Sequence, residues 1–293
     1  MKHFIQMQLI LSTWLSLASL CFGNPASFEK DFSGGKLVKD GMYYALGTFL
    51  GYYNYNEVDE FGSPFMRMDT AIFGLSGQVG IAAQNGLKAE GAIKIGYALG
   101  LYSGSILDVD NQERNGQRLY SITGTTAGDM ELKAGYNLLK LFGMHSASLY
   151  LQSGVGYYIT RTEFIVMDRV QGYLYVPIEL EGEAQLNQDI ALSYGGGYRF
   201  FALGNHFSAA SKYGVEDDYF VLQRQGFGAF GFIGINYLNT NRALRSVRLV
   251  YEYWSIGAAD PMLTTSSYTG AQGYIYEPKN STHRVLLQYS FGF

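Results

Sequence analysis

Asp108 and Asp110, with one residue between them, and the histidines His3, His145, His206 and His283 are the residues whose types could carry acid–base or nucleophilic chemistry. Serine-based hydrolysis needs a serine, a histidine base within hydrogen-bond reach and a polar group that orients the base. His3 lies in an amino-terminal segment expected to be removed. His145 and His283 fall near expected turns or strand ends, and no nearby serine can be assigned to either. The Asp108 segment starts like a calcium loop, but Gln112 and Glu113 stand where the third ligand and the obligatory glycine belong. No Gly-rich phosphate loop and no paired histidine ligands are found, so neither a metal nor a cofactor is expected. Cys21 is the single cysteine, and without it the chain has no disulfide, thiol nucleophile or thiolate metal site. The other suggestive spacing is Glu179, Glu181 and Glu183, three carboxylates that share one face only if the backbone is a strand.

Strands are what the sequence offers to position them. In 87–101, Leu87, Ala89, Ile93, Ile95, Tyr97, Leu99 and Leu101 alternate with Lys88, Glu90, Lys94 and small residues. In 123–138, Met130, Leu132, Ala134 and Tyr136 alternate with Asp129, Glu131, Lys133 and Asn137. Period-two alternation gives each strand one apolar and one polar face. Soluble strands alternate as well, but they average about 5–6 residues, whereas a tilted membrane strand needs about 9–11 within the bilayer. Eight further segments alternate: 42–54, 69–82, 147–160, 173–186, 189–201, 226–237, 246–256 and 283–293. Segment 226–237 is the least clear, because Phe230 and Phe232 share a face with glycines. Pro177 sits inside another and removes a ladder donor, so a bulge or late start is expected there. Connections containing Asn85-Gly86, Lys140 to His145, Asn187-Gln188 and Asn239 to Asn241 are short, and those over 55–68, 102–121, 161–172, 202–225 and 257–282 are long. The expected architecture is all-β: a closed antiparallel transmembrane barrel of ten strands over 41–293, with short periplasmic turns and long external loops. Twelve strands is the alternative if loop 202–225 or 257–282 hides a hairpin.

Lys2 is the only formal charge before Glu29, and an apolar run from Phe4 to Leu20 ends at Cys21-Phe22-Gly23. That pattern is a secretory signal cleaved after Gly23, with Cys21 as a lipidated residue the rival reading. Residues 24–40 are then a polar periplasmic lead-in. Without residues 1–23 the chain has 20 basic and 25 acidic residues, a formal charge of −5 that argues against a nucleic-acid partner. No later stretch approaches a transmembrane helix, and lipid leaves a closed barrel as the other way to satisfy a spanning backbone. With 25 Tyr and 37 Gly among 293 residues and only 5 Pro, the composition suits such a barrel and also a soluble all-β domain.

The last segment alternates strictly: Val285, Leu287, Tyr289, Phe291 and the terminal Phe293 are apolar or aromatic. This ending resembles the C-terminal strand of bacterial outer-membrane β-barrels, and the resemblance implies that the barrel assembly machinery reads it. The Gly- and Tyr-rich strands resemble small outer-membrane proteins of the Helicobacter and Campylobacter type. The ten-strand count also brings in the omptin proteases, which carry catalytic Asp-Asp and Asp-His pairs on the external rim. Asp108-Val109-Asp110 resembles the first pair. His206 stands where the second is needed, but Gly204 occupies the place of its aspartate, and Asp217-Asp218 has no histidine.

A barrel of this kind would turn Lys88, Glu90, Lys94, Asp129, Glu131, Lys133, Glu179, Glu181, Glu183, Arg199, Arg248, Glu252 and Arg284 inward. Signs nearly balance, so cross-strand ion pairs closing a narrow lumen are expected. The alternative is a channel in which the three stacked glutamates favour cations. Outside, Tyr55, Glu57, Asp59, Glu60 and Phe61, then Glu216, Asp217, Asp218, Tyr219 and Phe220, then Tyr268, Tyr274 and Tyr276, offer aromatic and acidic loops; Tyr55, Tyr219 and Phe220 could equally continue strands or an aromatic girdle. The expected protein is a non-enzymatic outer-membrane surface protein, structural, adhesive or host-interacting. A small cation-preferring porin is the alternative and an omptin-like protease a remote one. Its expected partners are outer-membrane lipid and lipopolysaccharide, the assembly machinery, and a host or surface ligand at the loops.

Overall fold

The computed structural model describes residues 41–59, 61–105, 113, 116–144, 146–163, 168–213, 215–239 and 243–292. The expected signal peptide, the lead-in 24–40, Asp108, Asp110, His145 and Phe293 lie outside them. Ten long strands form one ring: β1 (Gly41–Val58), β2 (Pro64–Ala82), β3 (Leu87–Ser105), β4 (Arg118–Asn137), β5 (Ala147–Glu163), β6 (Asp168–Gln185), β7 (Ile190–Ser208), β9 (Gly226–Leu238), β10 (Leu244–Ile256) and β13 (Lys279–Gly292). Every neighbour is antiparallel, and β1 pairs with β13, which closes the ring. All ten expected strands are present.

Two departures from the sequence reading concern the ends. All five expected long connections are shorter than anticipated, and two hold structure of their own. The first is only 59–63 and the third only 164–167, because β1, β2, β5 and β6 keep pairing beyond the apolar belt. Residues 209–225 contain a short strand, β8 (Tyr219–Gln223), which pairs with the end of β7. Residues 257–278 contain a hairpin of β11 (Met262–Thr265) and β12 (Gln272–Ile275), paired to each other and outside the ring. A hidden hairpin therefore exists without making the barrel twelve-stranded.

Local chemistry explains the turns and breaks. Gly86 takes φ 97°, the left-handed conformation that Asn-Gly turns require, and Gly143 at φ 69° ends the turn after β4. At Pro177 the β5–β6 ladder skips from Ser153↔Ile178 to Gly156↔Tyr175, and the freed Pro177 carbonyl accepts from the Ser153 hydroxyl at 2.8 Å. The β6–β7 register shifts by one residue between Leu174 and Tyr175, so the expected irregularity lies just before the proline on the same strand.

The radial distribution of residues is the inverse of a soluble protein's. Leu46, Leu50, Phe73, Leu75, Ile95, Leu101, Leu249 and Leu287 are exposed on the outer wall, whereas Lys88, Glu90, Asp129, Arg199, Glu252 and Arg284 are buried inside. Soluble monomers rarely expose contiguous apolar patches beyond a few hundred Å²; here the patch is a belt around the ring. The unclear segment resolves on the same logic. In β9, Phe230 and Phe232 point inward beneath Arg199 and Arg248, with guanidinium-to-ring distances of 4.9 and 4.8 Å. Gly228 shares that face because a Cβ there would come within 2.8 Å of the Trp254 indole.

Candidate functional site

Paired charges follow one another along the lumen from the short-turn end towards the long-loop end. Near the short turns, Lys88 lies 3.0 Å from both Glu90 and Glu181, and the Tyr43 hydroxyl donates to Glu90 at 2.7 Å. The void beside Lys88, Ser148, Tyr150 and Glu181 has no room for a water-sized sphere. Next, Lys133 contacts Glu179 at 2.7 Å, Glu131 at 3.3 Å and Glu90 at 3.4 Å. At mid-height, Glu252 meets three cations. Lys94 contacts it directly, Arg284 reaches it at 2.7 Å and Arg199 at 3.4 Å. Arg284 also forks onto Asp129 at 2.9 and 3.1 Å, and Arg199 reaches Glu131 at 3.2 Å.

This arrangement assigns the three stacked glutamates. Glu179 and Glu181 both accept from Gln152 in addition to their lysines, and Glu183 accepts from Asn236 at 3.0 Å. They belong to a ladder of paired groups, which is the only way so many charges can be desolvated together. Twelve of the thirteen charges assigned to the lumen have polar partners there, and Arg248 packs on Phe232.

Above the ladder lies an aromatic layer. Trp254 stacks on Tyr158 (centroids 5.8 Å apart) and contacts Tyr173 at 5.5 Å and Tyr175 at 5.1 Å. All four are buried. Buried rings and paired charges thus occupy the interior of the ten-strand ring at mid-height, as side chains do in an eight-stranded barrel.

At the long-loop end a second polar cluster lies beneath the loops. Arg169 of β6 donates to Glu57 of β1 and to Glu277, each at 2.6 Å. Gln171 donates to Glu277 at 2.8 Å, and the Tyr55 hydroxyl donates to Glu57 at 2.9 Å. His206 Nε2 lies 2.7 Å from the Ser208 hydroxyl and 3.2 Å from Glu277. Ser208, His206 and Glu277 have the types of a hydrolytic triad but not its geometry. Serine and carboxylate share one ring nitrogen, Nδ1 has no partner, and the group is buried. Gly204 leaves His206 without the aspartate that an omptin-like pair needs, and its polar contacts are instead Ser208 and Glu277. None of their His, Cys, Asp and Glu groups is arranged to hold a metal ion.

Sequence reasoning missed Arg169, Gln171 and Glu277 in this cluster, took Glu57 as a loop residue and left Tyr55 open between loop and strand. Arg169, Gln171, Tyr173 and Tyr175 keep the parity of Glu179, Glu181 and Glu183, so their placement was signalled. Glu277 precedes β13 and follows no strand period. Tyr55 and Tyr219 continue strands and are buried, whereas Tyr268 and Tyr274 are strongly exposed.

Glu277 makes this cluster pH-sensitive. Burial and the neighbouring Glu57 carboxylate push its pKa up to about 8, against the pull of Arg169. A carboxyl whose folded pKa is raised favours the docked loop below its free value of about 4.5, and that advantage is lost as pH rises through about 8. Proteolytic cleavage within 257–278 should therefore accelerate as pH rises from about 5 to about 8 and level off above that in the wild type, and Glu277→Gln should flatten the profile.

The architecture defined by ring and lumen is that of the outer-membrane β-barrels. The structure superposes on the outer membrane protease OmpT from Escherichia coli with a TM-score of 0.59 at 12% identity, over 87% of this chain and 97% of that one. The outer membrane protein AlkL matches with a TM-score of 0.36 at 11% identity, over 93% and 96% of the two chains. The Pseudomonas putida toluene transporter TodX matches with a TM-score of 0.35 at 7% identity, over 92% and 93%. No protein-family model and no curated protein matches the sequence. At such identities the likeness is one of fold.

Proposed function

We propose that this chain is a non-enzymatic protein of the bacterial outer membrane, closed along its axis, that works through the face bearing the long connections as a structural, adhesive or host-interacting surface protein. The observation that carries this reading is the packing of the interior: among the described residues the lumen charges are paired in a ladder, and Trp254 and its three tyrosines are buried above it. The outward belt of leucine, isoleucine and aromatic side chains supports a bilayer surrounding, with lipid and lipopolysaccharide as its neighbours. The segment from Val285 to Phe293 is the stretch we assign to recognition by the assembly machinery. Exposed Tyr268 and Tyr274 are of the type that serves binding loops.

Planar-bilayer recording of the purified protein tests the reading against a small porin. The expected result is no discrete conductance. Cation-selective steps that disappear in a Glu179→Gln, Glu181→Gln, Glu183→Gln variant would establish the channel instead.

A further inference from the structure

The hairpin β11–β12 stands outside the ring and leaves one strand edge open. Ser266 N–H donates to the Ala271 carbonyl at 2.8 Å, so those residues form a hydrogen-bonded pair. Antiparallel ladders alternate bonded and non-bonded pairs. Thr265↔Gln272 and Leu263↔Tyr274 are therefore non-bonded across the hairpin, and their peptide groups point to its outer edges. On the β11 edge this is visible: the Thr265 carbonyl accepts from Glu216 N–H at 2.9 Å, beside the Val215↔Ser266 bridge. On the β12 edge, the peptide groups of Gln272 and Tyr274 meet no strand among the described residues.

Sheet proteins usually guard such an edge with charge, proline or a bulge. Gln272-Gly273-Tyr274-Ile275 has none of these. Its solvent face presents Tyr274, 75% exposed, beside Leu263, 52% exposed. The segments joined by the bridge, 215–218 and 257–276, carry Glu216, Asp217, Asp218 and Asp260, all exposed, and no basic residue.

We propose that the open edge of β12 takes up an extended, basic polypeptide segment of a partner as an added strand. Peptide N–H and C=O groups of Gln272 and Tyr274 supply the main-chain bonds, and Leu263 and Tyr274 pack against apolar side chains at alternate positions of the guest. The acidic platform selects lysine or arginine between them. The inference rests on the surface-binding reading above and names its class of partner.

The test uses the full chain in lipid nanodiscs and a fluorescent octapeptide of alternating lysine and valine, followed by anisotropy. Comparators are the same peptide N-methylated in either alternate register, an alternating glutamate–valine peptide, and the Tyr274→Pro protein. Proline at 274 removes an outward N–H without breaking the hairpin, as edge positions allow. The lysine–valine peptide should bind and the glutamate–valine peptide should not. N-methylation in one register and Tyr274→Pro should each weaken binding by about tenfold, the loss of one or two net backbone hydrogen bonds. N-methylation leaves the protein intact, so it decides the matter even if the proline variant misfolds. Absence of binding, or an affinity unchanged by methylation in both registers, overturns the inference. Conductance keeps the two proposals apart: a closed barrel that ignores the peptide sinks only this one, and an open channel sinks the closed-barrel reading whatever the peptide does.

Discussion

Replacing Glu252 by alanine should destabilise the barrel by about 3–5 kcal/mol, the usual result of removing one partner from a buried ion pair. Here the loss falls on three cations at once, since Lys94, Arg199 and Arg284 all converge on that carboxylate. Arg284 keeps Asp129 and Arg199 keeps Glu131, but Lys94 has no second carboxylate among the described ion pairs. The urea midpoint of the barrel refolded in lipid measures the effect. A Glu252→Met, Arg199→Met double variant should recover part of it, because an apolar pair of similar volume avoids the desolvation that a lone charge suffers. A midpoint unmoved by Glu252→Ala would mean that water already solvates these cations, which is the porin reading and not the closed one.

Trp254→Ala should cost a similar amount, about 3–5 kcal/mol, for a different reason. The indole is fully buried and touches three tyrosines, with the Arg199 guanidinium 5.5 Å from its ring centre. Its removal leaves a void that the rigid ring of strands cannot collapse to fill, so both transfer and cavity contributions are lost. The void lies within the buried aromatic layer. Brief, small conductance events absent from the wild type are therefore expected alongside the lower urea midpoint. Trp254→Phe, which keeps most of the ring, should restore both.

The barrel was legible because alternation is enforced on both faces at once. Lipid requires Leu87, Ile93, Ile95 and Leu99 outside, and the narrow lumen requires Lys88, Glu90 and Lys94 to find partners inside. The strand ends were less legible. Past the apolar belt, the outward positions of β1 turn polar at Asn54 and Asn56, and those of β6 keep only Val170 between Gly172 and Asp168, so Glu57 and Arg169 looked like loop although ladder pairing continued. Which inward charges meet was beyond the sequence: Lys88 and Glu181 are 93 positions apart, and Arg284 and Asp129 are 155 apart. Only ring size and stagger bring them together. Glu277 was illegible for a simpler reason, since it approaches the lumen from a connection with no period to extrapolate.

The seam between β1 and β13 has a kinetic meaning. Its register runs unbroken from Ala45↔Gly292 to Val58↔Lys279, so every contact in it joins residues more than 200 positions apart. Such contacts come late, because the entropy of bringing distant chain segments together must be met before the pairing rewards it. Until then a growing curved sheet has two open margins, β1 and its latest strand, in a solvent that cannot hydrogen-bond either. Closure is then one all-or-none event late in the folding trajectory, and the pairing of β13 with β1 sets its clock.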